Sequence, residues 1–92
     1  MALANVLTPG AAAADSADTT IAALTRFVLK AAAGAPGLPV DGYVDVMVKD
    51  DAGLYWPIDY LASPSPVYVD LQPGTYLFRR KAGGAVGIFS AA

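Results

Sequence analysis

The segment Val67–Arg80, read VYVDLQPGTYLFRR, repeats its apolar residues with a period of two before a central Gln-Pro-Gly, and after it Tyr76 and Phe78 fall on one side with Leu77 on the other. A period of two is typical of β-strands that turn one apolar face towards a core. Pro73 presets its φ to about −65°, and Gly74 accepts positive φ, which suits the central positions of a type II turn. The segment therefore predicts two β-strands joined by a short turn, as in a hairpin.

Similar runs of β-branched and aromatic residues occur along the rest of the chain, separated by Gly- and Pro-containing turns. Turn signals recur roughly every 8–12 residues, a spacing that is typical of a small β-sandwich or a barrel-like domain. Together with the two strands of Val67–Arg80, these runs predict an all-β domain of about seven short strands. The other candidates are Thr19–Ala23, Thr25–Ala31, Tyr43–Lys49, Leu54–Leu61 and Ala85–Ser90.

The strand Leu54–Leu61 contains a proline, Pro57, which cannot donate a hydrogen bond to a ladder. We therefore expect this strand to lie at a sheet edge or to carry a bulge. Strict alternation would place its large side chains on one face, with Trp56 in the core. These side chains are Leu54, Trp56, Ile58 and Tyr60.

Two segments without a clear strand pattern precede the first unambiguous strand, Tyr43–Lys49. The stretch Asp18–Ala33 is ambiguous, because its Ala content favours a helix capped by Asp18 or Thr19, whereas its β-branched and aromatic residues favour two strands. We expect strands there, since the rest of the chain is β and needs partners. Residues 1–17 have no sustained period and predict a flexible N-terminal arm before a β-domain spanning residues 18–92. Leu3, Val6 and Leu7 are its candidate anchors on a neighbouring subunit.

The side-chain chemistry of the 92 residues argues against an enzyme. The chain has no Cys and no His, and its acidic residues are all Asp. It therefore lacks a thiolate nucleophile, the commonest general base and a His/Cys metal site, so we expect no catalytic residue, metal or cofactor. Asp50-Asp51-Ala52-Gly53 lacks most of an EF-hand pattern and predicts a hairpin turn.

Charge and hydropathy bound the partners of the chain. A net charge of −2 gives no attraction for nucleic acid or an anionic membrane. Met1–Ala14 lacks a basic start like that of a secretory signal, and no apolar run approaches membrane-spanning length, so we expect a soluble protein. Apolar residues nevertheless make up 55% of a chain too short to build a thick core. We therefore expect a partner surface, as in a homo-oligomer, to cover part of the apolar surface.

Two groups of side chains are candidate partner contacts. Tyr55 and Tyr68 belong to an aromatic-rich region that could dock a partner or stack on sugar rings, or instead form a cross-strand cluster. Arg79 and Arg80 form a basic run with Lys81, which is either a solvated strand end or a contact for an acidic neighbour. Alternation sends the two arginines to opposite faces, so they do not form one patch.

Three stretches resemble small structural proteins of tailed bacteriophage virions, namely head decoration, cement and head-fibre-base proteins. They are KDDAGLYWPI at Lys49–Ile58, DLQPGTYLFRR at Asp70–Arg80 and AVGIFSAA at Ala85–Ala92, in a chain with an Ala-rich start. The resemblance implies a β-sandwich subunit, often trimeric, clamped on the major capsid protein or another virion protein. It carries over no catalytic residue.

The sequence therefore predicts a non-enzymatic virion protein that decorates or cements a bacteriophage capsid as a homotrimer. The alternative is a small carbohydrate- or protein-binding β-sandwich module that uses the aromatic side chains between Tyr55 and Tyr76.

Overall fold

Nine β-strands and no helix form the chain in the computed structural model, which describes residues 3–91 and, for Leu3 and Ala4, the backbone alone. The strands are β1 (Leu3–Gly10), β2 (Ala14–Asp15), β3 (Thr19–Ile21), β4 (Thr25–Ala31), β5 (Tyr43–Lys49), β6 (Tyr55–Ala62), β7 (Tyr68–Leu71), β8 (Gly74–Arg80) and β9 (Val86–Ala91). The all-β prediction is confirmed, and the segment left open between helix and strand forms β3 and β4.

The strands make two antiparallel sheets. The four-stranded sheet has the order β1-β9-β4-β7. The five-stranded sheet has the order β2-β8-β5-β6, and β3 also pairs with β8. Both Gly34–Gly42 and the Pro-rich connector Ser63–Pro66 cross from one sheet to the other, between β4 and β5 and between β6 and β7.

The core lies between the two sheets, as the alternation of the strands predicts. Phe27 of β4 and Phe78 of β8 are both fully buried, and their ring centroids are 4.9 Å apart. Each sheet supplies every second residue of its central strands, so that one face of each strand is excluded from water. The other completely buried large side chains are Leu61, Ile88, Val44, Val46 and Val86.

The segment Val67–Arg80 is not a hairpin, and that prediction is wrong. β7 pairs with β4 in the four-stranded sheet, whereas β8 pairs with β5 in the other sheet. The turn around Gln72 therefore carries the chain across the sandwich, and the Tyr76 hydroxyl donates a 2.7 Å hydrogen bond to the Gln72 carbonyl oxygen. Tyr76 and Phe78 share the core face, as predicted, because they lie opposite Val48 and Val46, and Leu77 between them is also buried.

The N-terminal segment is part of the sandwich, so the predicted boundary after residue 17 is also wrong. β1 pairs with β9, which would otherwise be a sheet edge. Leu7 is only 6% exposed and packs in the core. A backbone that pairs along a strand and a side chain that fills the core make this segment an integral element.

β6 is an edge strand with a bulge, as Pro57 predicts. Its register against β5 shifts between the pairs Val46–Asp59 and Met47–Pro57, which leaves Ile58 as the extra residue. Because one extra residue reverses the alternation, Tyr60 and Trp56 lie on opposite faces. The single-face prediction for this strand is therefore wrong, and Trp56 is 55% exposed rather than in the core.

Candidate functional site: an apolar strip at the β6 edge

Three large apolar side chains of residues 54–58 are exposed at the edge of the five-stranded sheet. Leu54, Trp56 and Ile58 are 56%, 55% and 51% exposed. We call them the edge strip. Single exposed apolar residues are ordinary, but three within five residues of an edge segment make this segment a candidate surface for binding another molecule.

The hairpin before β6 fixes the position of Trp56. The Asp50 carboxylate accepts hydrogen bonds from the backbone N–H groups of Ala52 and Leu54 and, at 2.8 Å, from the indole Nε1–H of Trp56. The bond from Trp56 is the largest of the causes that lower the pKa of Asp50. Gly53 takes the left-handed conformation that the turn requires, with φ of 84°. The hairpin-turn prediction for this loop is confirmed.

Several backbone N–H positions on the outer edge of β6 cannot donate to an added strand. Alternate residues of an edge strand point their N–H groups away from the sheet. The Tyr60 N–H is bonded to Asp59 Oδ1 at 2.8 Å, and the Ala62 N–H to the Pro66 carbonyl oxygen at 2.7 Å. Pro57, on the bulge side of this row, has no N–H to offer. The edge therefore presents side chains to a partner and is poorly suited to accept an added strand.

The surroundings of the edge strip are acidic. Residues 50–62 contain three Asp and no Lys or Arg. Asp50 is engaged within the hairpin, whereas the exposed Asp51 and Asp59 flank the strip along the chain. A complementary surface would be apolar with positive charge at its rim.

Tyr55, a predicted contact, faces away from this strip on the outer face of the five-stranded sheet. Its hydroxyl donates a 2.6 Å hydrogen bond to Asp18, which also pairs with Lys49 at 2.9 Å. The bond from Tyr55 is the main cause that lowers the pKa of Asp18, followed by the bond from Lys49. Tyr55 thus ties the segment between β2 and β3 to the hairpin.

Tyr68, another predicted contact, lies on the outer face of the other sheet and is 50% exposed. The guanidinium of Arg26 lies over its ring, 4.3 Å from the centroid. Arg26 also makes a two-point ion pair with Asp70, at 2.8 and 3.1 Å. This pair lowers the pKa of Asp70, chiefly through the hydrogen bond from Arg26.

The two arginines of the basic run diverge, as predicted. Arg79 is exposed and pairs with Asp15 at 2.9 Å. Arg80 is only 6% exposed and donates hydrogen bonds to the carbonyl oxygens of Ala12, Thr8 and Val86 at 2.7, 2.6 and 3.0 Å. Because its donors are used inside the fold, Arg80 is a structural residue and not a contact for a partner.

The three N-terminal candidates also do not form a free anchor. Leu7 is in the core and Val6 packs against it half-buried. The side chain of Leu3 lies outside the described part of the chain. Leu7 is thereby removed from the candidate contacts, because burial in its own core leaves it no surface to offer.

No group of three or more metal-ligating side chains occurs within residues 3–91. The same residues contain no helix with the length and hydropathy that crossing a bilayer requires. Sequence reasoning missed Trp56 as a surface residue. Its register partner Val48 packs against the core, so Trp56 is exposed because β6 is an edge strand, and the signal that could have found it is Pro57, which predicts such an edge.

Comparisons with protein-family models, with curated proteins and with solved structures find no match to this chain.

Proposed function

We propose that this chain is a non-enzymatic structural protein that decorates or cements the capsid of a tailed bacteriophage as a homo-oligomer. The observation that carries the assembly part is the edge strip, a row of three half-exposed apolar side chains held by the Asp50 hairpin. The virion part rests on the resemblance of the three sequence stretches to decoration, cement and head-fibre-base proteins.

The edge strip suits the centre of a larger interface. Stable interfaces bury about 800 Å² on each partner, more than three partly exposed side chains can supply. Aromatic anchors at the centre of an interface, surrounded by polar groups that exclude water, carry most of the binding energy. Trp56, bonded to Asp50 and already restrained, would lose little freedom on binding.

The virion assignment is tested on particles rather than on the isolated chain. Capsid and portal genes next to the gene for this chain, followed by its detection at high copy number in purified virions by mass spectrometry, would support the proposal. Virions that contain the neighbouring capsid protein but lack this chain would contradict it.

The alternative is a small carbohydrate- or protein-binding module. A pair of stacked tyrosine rings on the five-stranded sheet favours it. The rings of Tyr43 and Tyr60 are stacked at 5.3 Å, and Lys81 Nζ lies 4.4 Å from the Tyr43 centroid. Tyr60 remains 44% exposed, so part of its surface is available to a sugar ring. A glycan-array signal that Tyr60→Ala removes and Tyr68→Ala preserves would favour this function, and a blank array would count against it.

A further inference from the structure

We infer that the edge strip of one copy docks on the outer face of the four-stranded sheet of a second copy, in a head-to-tail contact. This inference rests on the assembly part of the proposed function and names the partner of the edge strip. It is carried by a match of apolar surface and of charge between two surfaces of the same chain.

The receiving surface is a cross-strand row on the outer face of the four-stranded sheet. Val28 of β4 lies directly opposite Tyr68 of β7 on one side and Phe89 of β9 on the other. We call these three residues the outer row. Tyr68 is half exposed, and the other two are partly exposed. Side chains aligned across neighbouring strands form one continuous apolar surface.

Positive charge flanks the outer row on both sides. Arg26 and Lys30 lie two residues before and after Val28, on the same face of β4, because Phe27 and Leu29 between them are buried. Arg26 lies over Tyr68, and Lys30 Nζ is 5.9 Å from the Phe89 ring centroid. Arg26 is paired with Asp70, whereas Lys30 makes no ion pair among the described residues.

The edge strip presents the opposite charge pattern. Its flanking carboxylates are Asp51, in the hairpin loop, and Asp59, beyond the β6 bulge. Asp51 precedes the strip and Asp59 follows it. An apolar strip flanked by carboxylates therefore meets an apolar row flanked by cations.

The charge pattern also disfavours contact between two edge strips. A two-fold contact brings the same patch of both subunits together. Residues 50–62 carry no Lys or Arg, so such a contact would oppose carboxylates without a cation between them. A head-to-tail contact avoids this conflict, and its repetition closes a ring when the rotation permits.

The test measures the mass of single variants by sedimentation velocity, with circular dichroism to confirm that each is folded. Ile58→Asp alters the edge strip and Lys30→Asp alters the receiving face. We expect each to raise the apparent dissociation constant by about tenfold or more. Lys81→Asp is the matched control, because Lys81 also lies over an aromatic ring, that of Tyr43 in the five-stranded sheet. The Lys81→Asp variant should assemble like the wild type. Adding Asp51→Lys or Asp59→Lys to Lys30→Asp should restore assembly in one of the two combinations.

Mixing two defective variants identifies the geometry of the contact. Ile58→Asp keeps an intact outer row, and Tyr68→Ser keeps an intact edge strip. Each should be monomeric alone, and an equimolar mixture should form a dimer that grows no further. Assembly of Tyr68→Ser and Lys30→Asp at wild-type strength would overturn the head-to-tail contact and leave the virion proposal standing. A wild-type protein that stays monomeric up to about 100 μM, far above the concentrations at which specific interfaces form, would also overturn it, while detection of the chain in virions decides the virion proposal separately.

Discussion

At the scale of single residues, Arg80 joins elements that are far apart in the chain. Its guanidinium reaches two carbonyl oxygens of the N-terminal segment, those of Thr8 and Ala12, and one of β9, that of Val86. Buried carbonyl groups need hydrogen-bond donors, and one arginine supplies several in a fixed planar arrangement. Its neighbour Arg79 instead makes one exposed ion pair.

Arg80→Met should therefore be far more damaging than Arg79→Met. The substitution removes three charge-assisted hydrogen bonds, one buried and two part-buried, and we expect the free energy of unfolding to fall by about 2–4 kcal/mol. Arg79→Met, the matched control, should leave the urea midpoint close to that of the wild type, because exposed ion pairs contribute little. Equal midpoints for the two variants in urea unfolding would show that the Arg80 contacts are dispensable.

Three carboxylates make stability sensitive to acid. The pKa values of Asp18, Asp50 and Asp70 are all lowered from the ordinary value of 3.8 by hydrogen bonds, chiefly from Tyr55, Trp56 and Arg26 respectively. A lowered pKa in the folded state stabilises the fold above the ordinary value, and this contribution is lost as the pH falls through the lowered pKa. The chain has no His, the side chain that would normally titrate between about pH 5 and pH 8.

The urea midpoint should accordingly stay level from about pH 5 to pH 8 and fall below about pH 4. Asp50→Asn should reduce the steepness of this fall, because it removes one of the responsible carboxylates. Asp51→Asn changes an exposed neighbour whose carboxylate makes none of these hydrogen bonds, so it should keep the wild-type slope. A wild-type midpoint that declines already between pH 7 and pH 5 would contradict this account.

At the scale of elements, local sequence identifies the strands but not their partners. Tyr43–Lys49 and Thr25–Ala31 coincide with β5 and β4, since strong alternation is a local property. The Gln-Pro-Gly turn looks the same whether its flanking strands pair with each other or belong to different sheets. In the structure β7 pairs with β4 and β8 pairs with β5, on opposite sides of the core.

The edge strip escaped prediction for a related reason. Pro57 predicts a bulge but does not determine which residue is the extra one. That residue is Ile58, and the shift moves Trp56 away from the face of Tyr60. The exposure of Trp56 further depends on β6 being an edge strand, which is a property of the whole sheet and not of the segment. The sequence therefore identifies the apolar residues of the candidate site, but only the three-dimensional structure shows that they are exposed.

β1 was missed because its alternation is interrupted. Its register against β9 shifts twice, between Asn5 and Leu7 and again between Leu7 and Gly10, so no period of two is visible in the sequence. The contact with β9 is nevertheless tight. A Cβ at Gly87 would overlap the carbonyl oxygen of Leu7 and lie 2.6 Å from the backbone nitrogen of Pro9. β1 and β9 thus pack at backbone distance.

Truncation of residues 1–10 should for this reason abolish cooperative unfolding instead of leaving a folded β-domain. It removes one of the two strands that pair with β9 and one carbonyl acceptor of Arg80. A milder variant, Leu7→Ala, should lower the free energy of unfolding by about 2–5 kcal/mol, as other buried leucines do. The exposed neighbour Thr8→Ala should cost less than about 0.5 kcal/mol. A truncated chain that melts with wild-type cooperativity in thermal unfolding would restore the flexible-arm interpretation.

At the scale of the whole molecule, the high apolar content does not make the chain unusually extended. Its accessible surface of 5074 Å² is close to the roughly 5000 Å² expected of a compact 9.4 kDa monomer. The excess appears instead as specific exposed side chains, among them the edge strip and Tyr68. Each of the nine strands pairs with at least one other strand of the same chain.

Assembly that depends on matched charges should weaken as salt rises. The screening length falls from about 14 Å in 50 mM NaCl to about 4 Å in 500 mM NaCl, shorter than the spacing of the flanking charges. We expect the apparent dissociation constant of the wild type, measured by sedimentation equilibrium, to rise several-fold over this range. Lys30→Met should lose most of this salt dependence, because it removes a cation that flanks the outer row. Lys81→Met removes a lysine placed over a ring on the opposite sheet and should keep the wild-type dependence. Association that strengthens with salt, and does so equally in all three proteins, would mean that apolar contact alone drives assembly and that the flanking charges play no part.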